Sequence, residues 1–228
     1  MSLGKPITIL LAEDHCIMRE GLTALLEADG SFALVGQART GREAVDLAKS
    51  LRPDVILMDI AMPVLNGLEA TRQILAGNPA AKVLILSAHS DHEYIERVNA
   101  VGALGYMEKQ MPKEMLTKAI REVAKGIPFV SPTIANRMRG DRKNPREWEG
   151  AAKRSSAHLT PREAEVLQLV AEGSANKQVA AELNISIKTV EKHRQHLMDK
   201  LDIHDTASLT RYAIAAGIIE SSVQPTTA

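Results

Sequence analysis

Val55-Ile56-Leu57-Met58-Asp59 is four apolar residues ending on a carboxylate. A continuous apolar run this short fits a strand covered on both faces, as in a parallel sheet. Ile7-Thr8-Ile9-Leu10-Leu11 upstream and Val83-Leu84-Ile85-Leu86 downstream repeat the style. Between these runs, Met18, Leu22, Leu25 and Leu26 recur at helical spacing, as do Ala44, Leu47, Ala48 and Leu51. Alternation of strand and helix implies right-handed crossovers and a doubly wound α/β fold. Five such units are expected, with strands near 7–12, 32–38, 54–58, 82–86 and 104–107. The last helix runs from about Lys113 to Lys125 and stops at Gly126, before Pro128.

Working outward, the 228 residues are long enough for one large domain or two small ones. Charged residues make up 25% and hydrophobic ones 45%, which excludes wholesale disorder and fibrous classes. One cysteine, Cys16, leaves no intrachain disulfide and points to a reducing, cytoplasmic setting. Its expected role is that of a small, half-buried residue. No apolar run approaches the roughly 20 residues that span a bilayer, so no membrane contact is expected. Met1 to Pro6 lacks the apolar core of a signal peptide. Aromatics at 3% disfavour a base-stacking platform for single strands. Net charge is zero, so a DNA-binding part would have to gather its cations on one face.

The pattern changes near residue 130. Gly140-Asp141-Arg142-Lys143-Asn144-Pro145-Arg146 is charged and rich in helix breakers, with Trp148 the only large apolar residue near it. Residues 131–156 therefore read as a linker between a first domain, 1–130, and a second, 157–228, with 132–138 open to a short helix. The second domain reads as all-helical. Thr160-Pro161-Arg162-Glu163 combines an N-cap hydroxyl, Pro at the first position and an acid at the third. A second helix is expected over Asn176–Leu183, a third from an N-cap at Ser186 to Leu201, and a fourth over Thr206–Ala216. Two helices joined by a turn of three or four residues suggest a helix-turn-helix.

In an open parallel sheet, ligands bind beyond the carboxyl ends of the strands. Glu13 and Asp14 follow the first strand, Asp59 the third, Ser87 the fourth and Lys109 the fifth. One acid at a strand end is ordinarily a turn or cap residue. Three carboxylates, a hydroxyl and an ammonium delivered to one edge are another matter. Converging carboxylates repel one another, and a hard divalent cation relieves this; all-oxygen ligands favour Mg2+. Such a set suits phosphoryl transfer to Asp59, with Lys109 and Ser87 on the phosphate oxygens.

Residues 7–126 resemble the receiver domain of bacterial two-component response regulators. The resemblance rests on Ile9-Leu10-Leu11-Ala12-Glu13-Asp14-His15, on Pro53 through Pro63 with Gly67, on Leu86-Ser87-Ala88 and on Gly102 through Lys109. It implies a flavodoxin-like, five-stranded receiver phosphorylated on Asp59 by a sensor histidine kinase. It further implies Mg2+ on Glu13, Asp14, Asp59 and the backbone carbonyl of Ala61. A switch is implied as well, in which Ser87 moves to the phosphate and Tyr106 turns inward; plain packing of Tyr106 is the alternative. Gln110 stands where many receivers have Pro.

Residues 159–217 resemble the LuxR-type DNA-binding domain of the NarL/FixJ subfamily. The match is carried by Leu159 through Leu167, Gly173, Asn176 through Ala180, Ile185 through His193 and Leu197 through Leu201. On the third helix, Val190, Leu197 and Leu201 form an inward stripe. Lys188, Lys192 and Gln195 lie on another face, with Thr189, His193 and His196 at its edges. A helix with a cationic face can enter the major groove of double-stranded DNA. Lys177 opens the preceding helix, where phosphate is also attracted. Ser186 and these side chains are the candidate DNA contacts. Glu191 departs from the basic residue of many relatives.

One small domain binds DNA weakly, so two half-sites read by a homodimer are expected. The dimer contact could come from Leu209, Tyr212, Ala213, Ala216 and Ile218, which could equally pack on the helical core. Phosphate at Asp59 would bias the receiver, and the face near 91–125 would pair receivers or release the DNA-binding part. An enzyme is the first rival, since aspartyl-phosphate phosphatases of the haloacid dehalogenase type share an Asp nucleophile, Mg2+ and Lys. Those carry a second Asp two residues after the nucleophile, where this chain has Ala61. A scaffold that binds DNA without phosphorylation is the second rival, and the intact acid set argues against it.

Overall fold

The computed structural model describes residues 5–88, 92–135 and 159–219. They fall into two compact units, one within 1–145 and the other within 146–228.

The first unit is built on β1 (Ile7–Ala12), β2 (Phe32–Ala38), β3 (Val55–Asp59), β4 (Val83–Ser87) and β5 (Gly105–Glu108). Helices α1 (Cys16–Glu27), α2 (Gly41–Leu51), α3 (Gly67–Gly77), α4 (His92–Ala100) and α5 (Lys113–Ala124) connect them. Every described pairing is parallel. A sixth strand, β6 (Phe129–Val130), corrects the expected five. It pairs with β5 through Gly105–Phe129 and Tyr106–Val130. Two residues after Pro128 are too few to carry a periodicity, so this strand had no sequence signal.

The sheet order is β2-β1-β3-β4-β5-β6. Strand order therefore reverses between β1 and β3, which opens a crevice at their carboxyl ends. Val55, Ile56, Leu57 and Met58 are all 1% exposed or less. Their side chains alternate between two cores: Ile56 and Met58 pack with α2, α3 and α4 residues, Val55 and Leu57 with α1 and α5 residues. Burial on both faces explains why the run has no polar alternation.

The chain past β6 stays on this unit through residue 135. Residues 132–135 are helical. Ser131 and Ile134 are fully buried, and Ile134 joins the cluster of Ile95, Val98 and Tyr106. The Ser131 hydroxyl donates to Glu108, and its N–H donates to the Tyr106 carbonyl at 3.1 Å. The remainder of the expected linker, 136–156, lies outside the described residues, as do 136–138 of its short helix and Trp148.

The second unit holds α6 (Pro161–Ala171), α7 (Asn176–Glu182), α8 (Ile187–Leu201) and α9 (Thr206–Ala215). Thr160 and Glu163 form a capping box at the start of α6. The Glu163 N–H donates to Thr160 Oγ1 at 3.3 Å, and the Thr160 N–H donates to Glu163 Oε2 at 2.8 Å. Thr160→Ala should therefore cost about 1 kcal/mol of this unit's stability, read as a lower denaturant midpoint. Val166, Leu167, Val190, Leu197, Leu209 and Ala213 fill the core, each at most 2% exposed. Two arginines that carry no cue in the sequence pattern tie the helices together. Arg194 donates to Asn176 Oδ1 at 2.7 Å and to Thr206 Oγ1 at 3.0 Å. Arg162 reaches the Leu183 carbonyl at 2.6 Å and Glu165 at 2.7 Å.

Candidate functional site

The carboxyl ends of β1, β3, β4 and β5 bring the expected residues together. Glu13 and Asp14 leave β1, Asp59 is the last residue of β3, and Ser87 is the last of β4. The Lys109 N–H donates to the Ser87 carbonyl at 2.8 Å, which locks the end of β5 against β4. Lys109 Nζ lies 2.8 Å from Glu13 Oε2 and 2.9 Å from Asp59 Oδ2. Ser87 is 1% exposed and paired in register with Glu108. Tyr106 is 3% exposed, so its ring is inside in this structure. Ala61 lies in the β3–α3 loop, two residues past Asp59.

The pocket is electrostatically crowded. Glu13 is fully buried and Asp59 is 2% exposed. Among the described residues, Glu13 Oε2 and Asp59 Oδ2 are met only by the Lys109 ammonium, and Asp14 Oδ1 only by the His15 imidazole at 3.0 Å. Burial pushes Asp59 up to about 6; Lys109 pulls it down, while Glu13 and Asp14 push it further up. Lys109 is raised, because Asp59 and Glu13 outweigh the burial that opposes its charge. One ammonium cannot neutralise three carboxylates, so the pocket keeps an excess of negative charge. Glu13, Asp14, His15 and Asp59 each offer one ligand atom, all within 4.8 Å of one another.

Arg19 is a residue that motif and spacing do not single out. It sits on α1 at 6% exposure. Its Nη1 donates to the carbonyls of Glu13 and Asp14 at 3.0 and 3.1 Å, pinning the loop that carries the acidic pair. Its place on an amphipathic helix, one residue after an apolar Met18, reads in the sequence as a surface cation. Cys16 is exposed, which corrects the half-buried expectation. It opens α1 on the outer side, with its thiol 3.2 Å from Glu20.

On the second unit, Lys177, Lys188 and Lys192 are exposed, and no acidic side chain pairs with them among the described residues. Ser186 caps α8: its hydroxyl accepts from the Thr189 N–H at 3.1 Å and lies 2.8 Å from the Thr189 hydroxyl. Gln195 is exposed, and its Nε2 donates to Asp199 Oδ1 at 2.8 Å. His196 is exposed. His193 is half-buried, and burial together with Arg162 lowers its pKa, which favours the neutral ring. Val190 and Leu197 face the core, so the cationic residues occupy the outer face as the spacing predicts. Leu209 and Ala213 are fully buried within this unit, which takes them out of any dimer contact; Ile214 on the same helix is 39% exposed.

Two family models match the chain. "Response regulator receiver domain" matches residues 9–121, and "Bacterial regulatory proteins, luxR family" matches residues 157–213. Among curated proteins, the transcriptional regulatory protein LiaR of Bacillus subtilis is 38% identical, over 91% of this chain and 96% of that protein. The transcriptional regulatory protein DegU of Brevibacillus brevis is 35% identical, over 94% of this chain and 95% of that protein. Among solved structures, a LuxR-family two-component response regulator from Aurantimonas sp. SI85-9A1 is 33% identical. It aligns over 61% of this chain and all of that one, with a TM-score of 0.59.

Proposed function

The chain belongs to the two-component response regulators that join a receiver domain to a LuxR-type DNA-binding domain, and from that premise we propose that it is a phosphorylation-controlled transcriptional regulator with Asp59 as phosphoacceptor. The observation that carries this reading is the buried Asp59 carboxylate held 2.9 Å from the Lys109 ammonium beside Glu13 and Asp14. Its relatives are transcriptional regulators, not enzymes.

The donor set fits Mg2+: oxygen-only carboxylates with accepting capacity left over. Glu13, Asp14 and Asp59 would hold it, with the Ala61 carbonyl completing the protein's share. The ion supplies charge neutralisation for an incoming phosphoryl group. Asp59 Oδ attacks the phosphorus, and the sensor kinase's histidine nitrogen leaves with its electron pair. Lys109 then moves its attraction from the carboxylates to a phosphate oxygen, and the Ser87 hydroxyl donates to another. Tyr106 packs beside Ile95, Val98 and Ile134, so a shift of Ser87 and Tyr106 would be felt at the α4–β5 face and at the first turn beyond the receiver.

The receiver is assigned to 1–130 with 131–135 packed against it, the linker to the remainder of 131–156 and the DNA-binding domain to 157–228. No described helix is long and apolar enough to cross a membrane. Phosphorylation would pair two copies and place two α8 helices on successive half-sites of double-stranded DNA.

Incubation with acetyl phosphate should add the mass of one phosphoryl group when Mg2+ is present and not when it is chelated. Uptake independent of Mg2+, or on a residue other than Asp59, overturns the assignment. At the other end, Lys192→Ala should weaken DNA binding. It should also flatten the slope of log affinity against log salt by about 0.9 for each phosphate that a protomer no longer neutralises. An unchanged slope removes Lys192 from the interface.

A further inference from the structure

We propose that a cavity between α2 and α3 binds a small organic anion, an apolar ring or branched chain that carries one carboxylate. The cavity measures about 230 Å3 and lies at the start of β3, at the opposite end of that strand from Asp59. At about 30 Å3 per water it has room for roughly seven waters, or for one ring with a short acidic side chain. Val45, Ala48, Ile56 and Ile74 make its floor, and all four belong to, or pack against, the core cluster under α2 and α3. Water on such a floor finds few polar partners, so an apolar group displaces it favourably.

The rim is cationic. Lys49 and Arg52 are exposed and line the cavity, and none of the described residues that line it is acidic. Neither cation is paired with a carboxylate among the described residues. Arg52 is the C-cap of α2 and holds a left-handed backbone, with φ 46° and ψ 58°. Glycine is the residue that this conformation suits. Pro53 follows, and a proline steers the residue before it toward extended angles. The Arg52 side chain is exposed, so core packing does not offset that backbone cost. What the arginine supplies is a planar guanidinium beside an apolar floor, the combination that a carboxylate with an apolar body needs.

Lys49 in the last turn also complements the carbonyls that end α2. If that were the whole role of the two cations, the cavity would not distinguish an organic acid from its neutral amide.

The test titrates the full-length chain at low salt with phenylacetate, phenylacetamide and inorganic phosphate. Binding heat and the methyl resonances of Val45, Ile56 and Ile74 are followed together. Phenylacetate should shift these methyls saturably. Phenylacetamide, which lacks the charge, and inorganic phosphate, which lacks the apolar body, should each bind at least about tenfold more weakly. The double variant Lys49→Gln with Arg52→Gln should weaken phenylacetate binding at least about fivefold. Arg52→Gly should also weaken it while holding the parent's melting temperature, because glycine suits the left-handed backbone. No methyl shift in the parent, or equal binding of acid and amide, overturns the anion site. Inorganic phosphate bound as tightly as phenylacetate overturns the role of the apolar floor. Unaltered phenylacetate binding in both variants overturns the role of the two cations.

Discussion

Asp59→Asn should abolish phosphate uptake while making the metal-free protein more stable at neutral pH. The two effects have one cause. Asp59 is buried beside two further carboxylates, and that environment lifts it from 3.8 to about 6. A carboxyl raised on folding holds its proton more firmly in the native state than in the unfolded chain. Ionising it therefore costs native stability. The cost is absent below about pH 3.8, where both states are protonated, grows between 3.8 and about 6, and is full above that. At roughly 1.4 kcal/mol per unit the ceiling is about 3 kcal/mol. Asn removes the charge without changing the shape, and Lys109 retains Glu13 at 2.8 Å. In chelator at pH 7.5 the variant should melt above the parent, and the two curves should converge as the pH falls toward 4. Mg2+ should raise the parent's melting temperature more than the variant's. A variant that melts lower than the parent at pH 7.5 would mean that the Lys109 pairing outweighs the repulsion. Normal labelling of the variant would remove Asp59 from the chemistry.

Much of this architecture is readable from residue types because the strands of a parallel sheet have no polar face. Val55 to Met58 and Val83 to Leu86 are apolar at every position, and helix-spaced residues between them leave few topologies open. The site is readable for the same reason: acids immediately after such runs must lie on one edge of the sheet. Features that depend on geometry rather than on pattern escape. β6 is two residues long, and its pairing depends on where α5 delivers the chain. Arg19 reads as an ordinary surface cation until the loop carbonyls of Glu13 and Asp14 are seen to face it. Ile134 gives no warning of full burial, because it belongs to the same breaker-rich neighbourhood as the linker. In the second unit, the face of α8 follows from spacing. Which of its polar residues are already engaged does not, as the Gln195–Asp199 and Ser186–Thr189 contacts illustrate.

Gly67→Ala should be as damaging to the site as a substitution of Asp59 itself, and should unfold the receiver more readily as well. Gly67 opens α3, and its N–H donates to the Ile60 carbonyl at 2.8 Å. A Cβ at this position would lie 1.8 Å from the carbonyl oxygen of Asp59, 2.8 Å from its carbonyl carbon and 3.0 Å from Met58 Cγ. The first two are backbone atoms of β3, hydrogen-bonded into the sheet between β1 and β4. No rotamer change relieves that overlap. Either the first turn of α3 lifts away and breaks the bond to Ile60, or the end of β3 rotates and carries Asp59 out of reach of Lys109. Overpacking a core ordinarily costs about 1–3 kcal/mol, and a clash with immovable backbone should exceed about 3 kcal/mol. Gly77, at the other end of the same helix, supplies the comparison: a Cβ there meets nothing within 4 Å. Gly77→Ala should leave Mg2+ affinity and phosphate uptake unchanged and shift stability by no more than about 1 kcal/mol, since alanine is the better helix former. Denaturant titration of both variants, with Mg2+ affinity measured on the folded fraction, separates loss of fold from loss of site. If Gly67→Ala keeps the parent's midpoint and Mg2+ affinity, the β3–α3 connection has slack, and the placement of Asp59 depends on something other than this close approach.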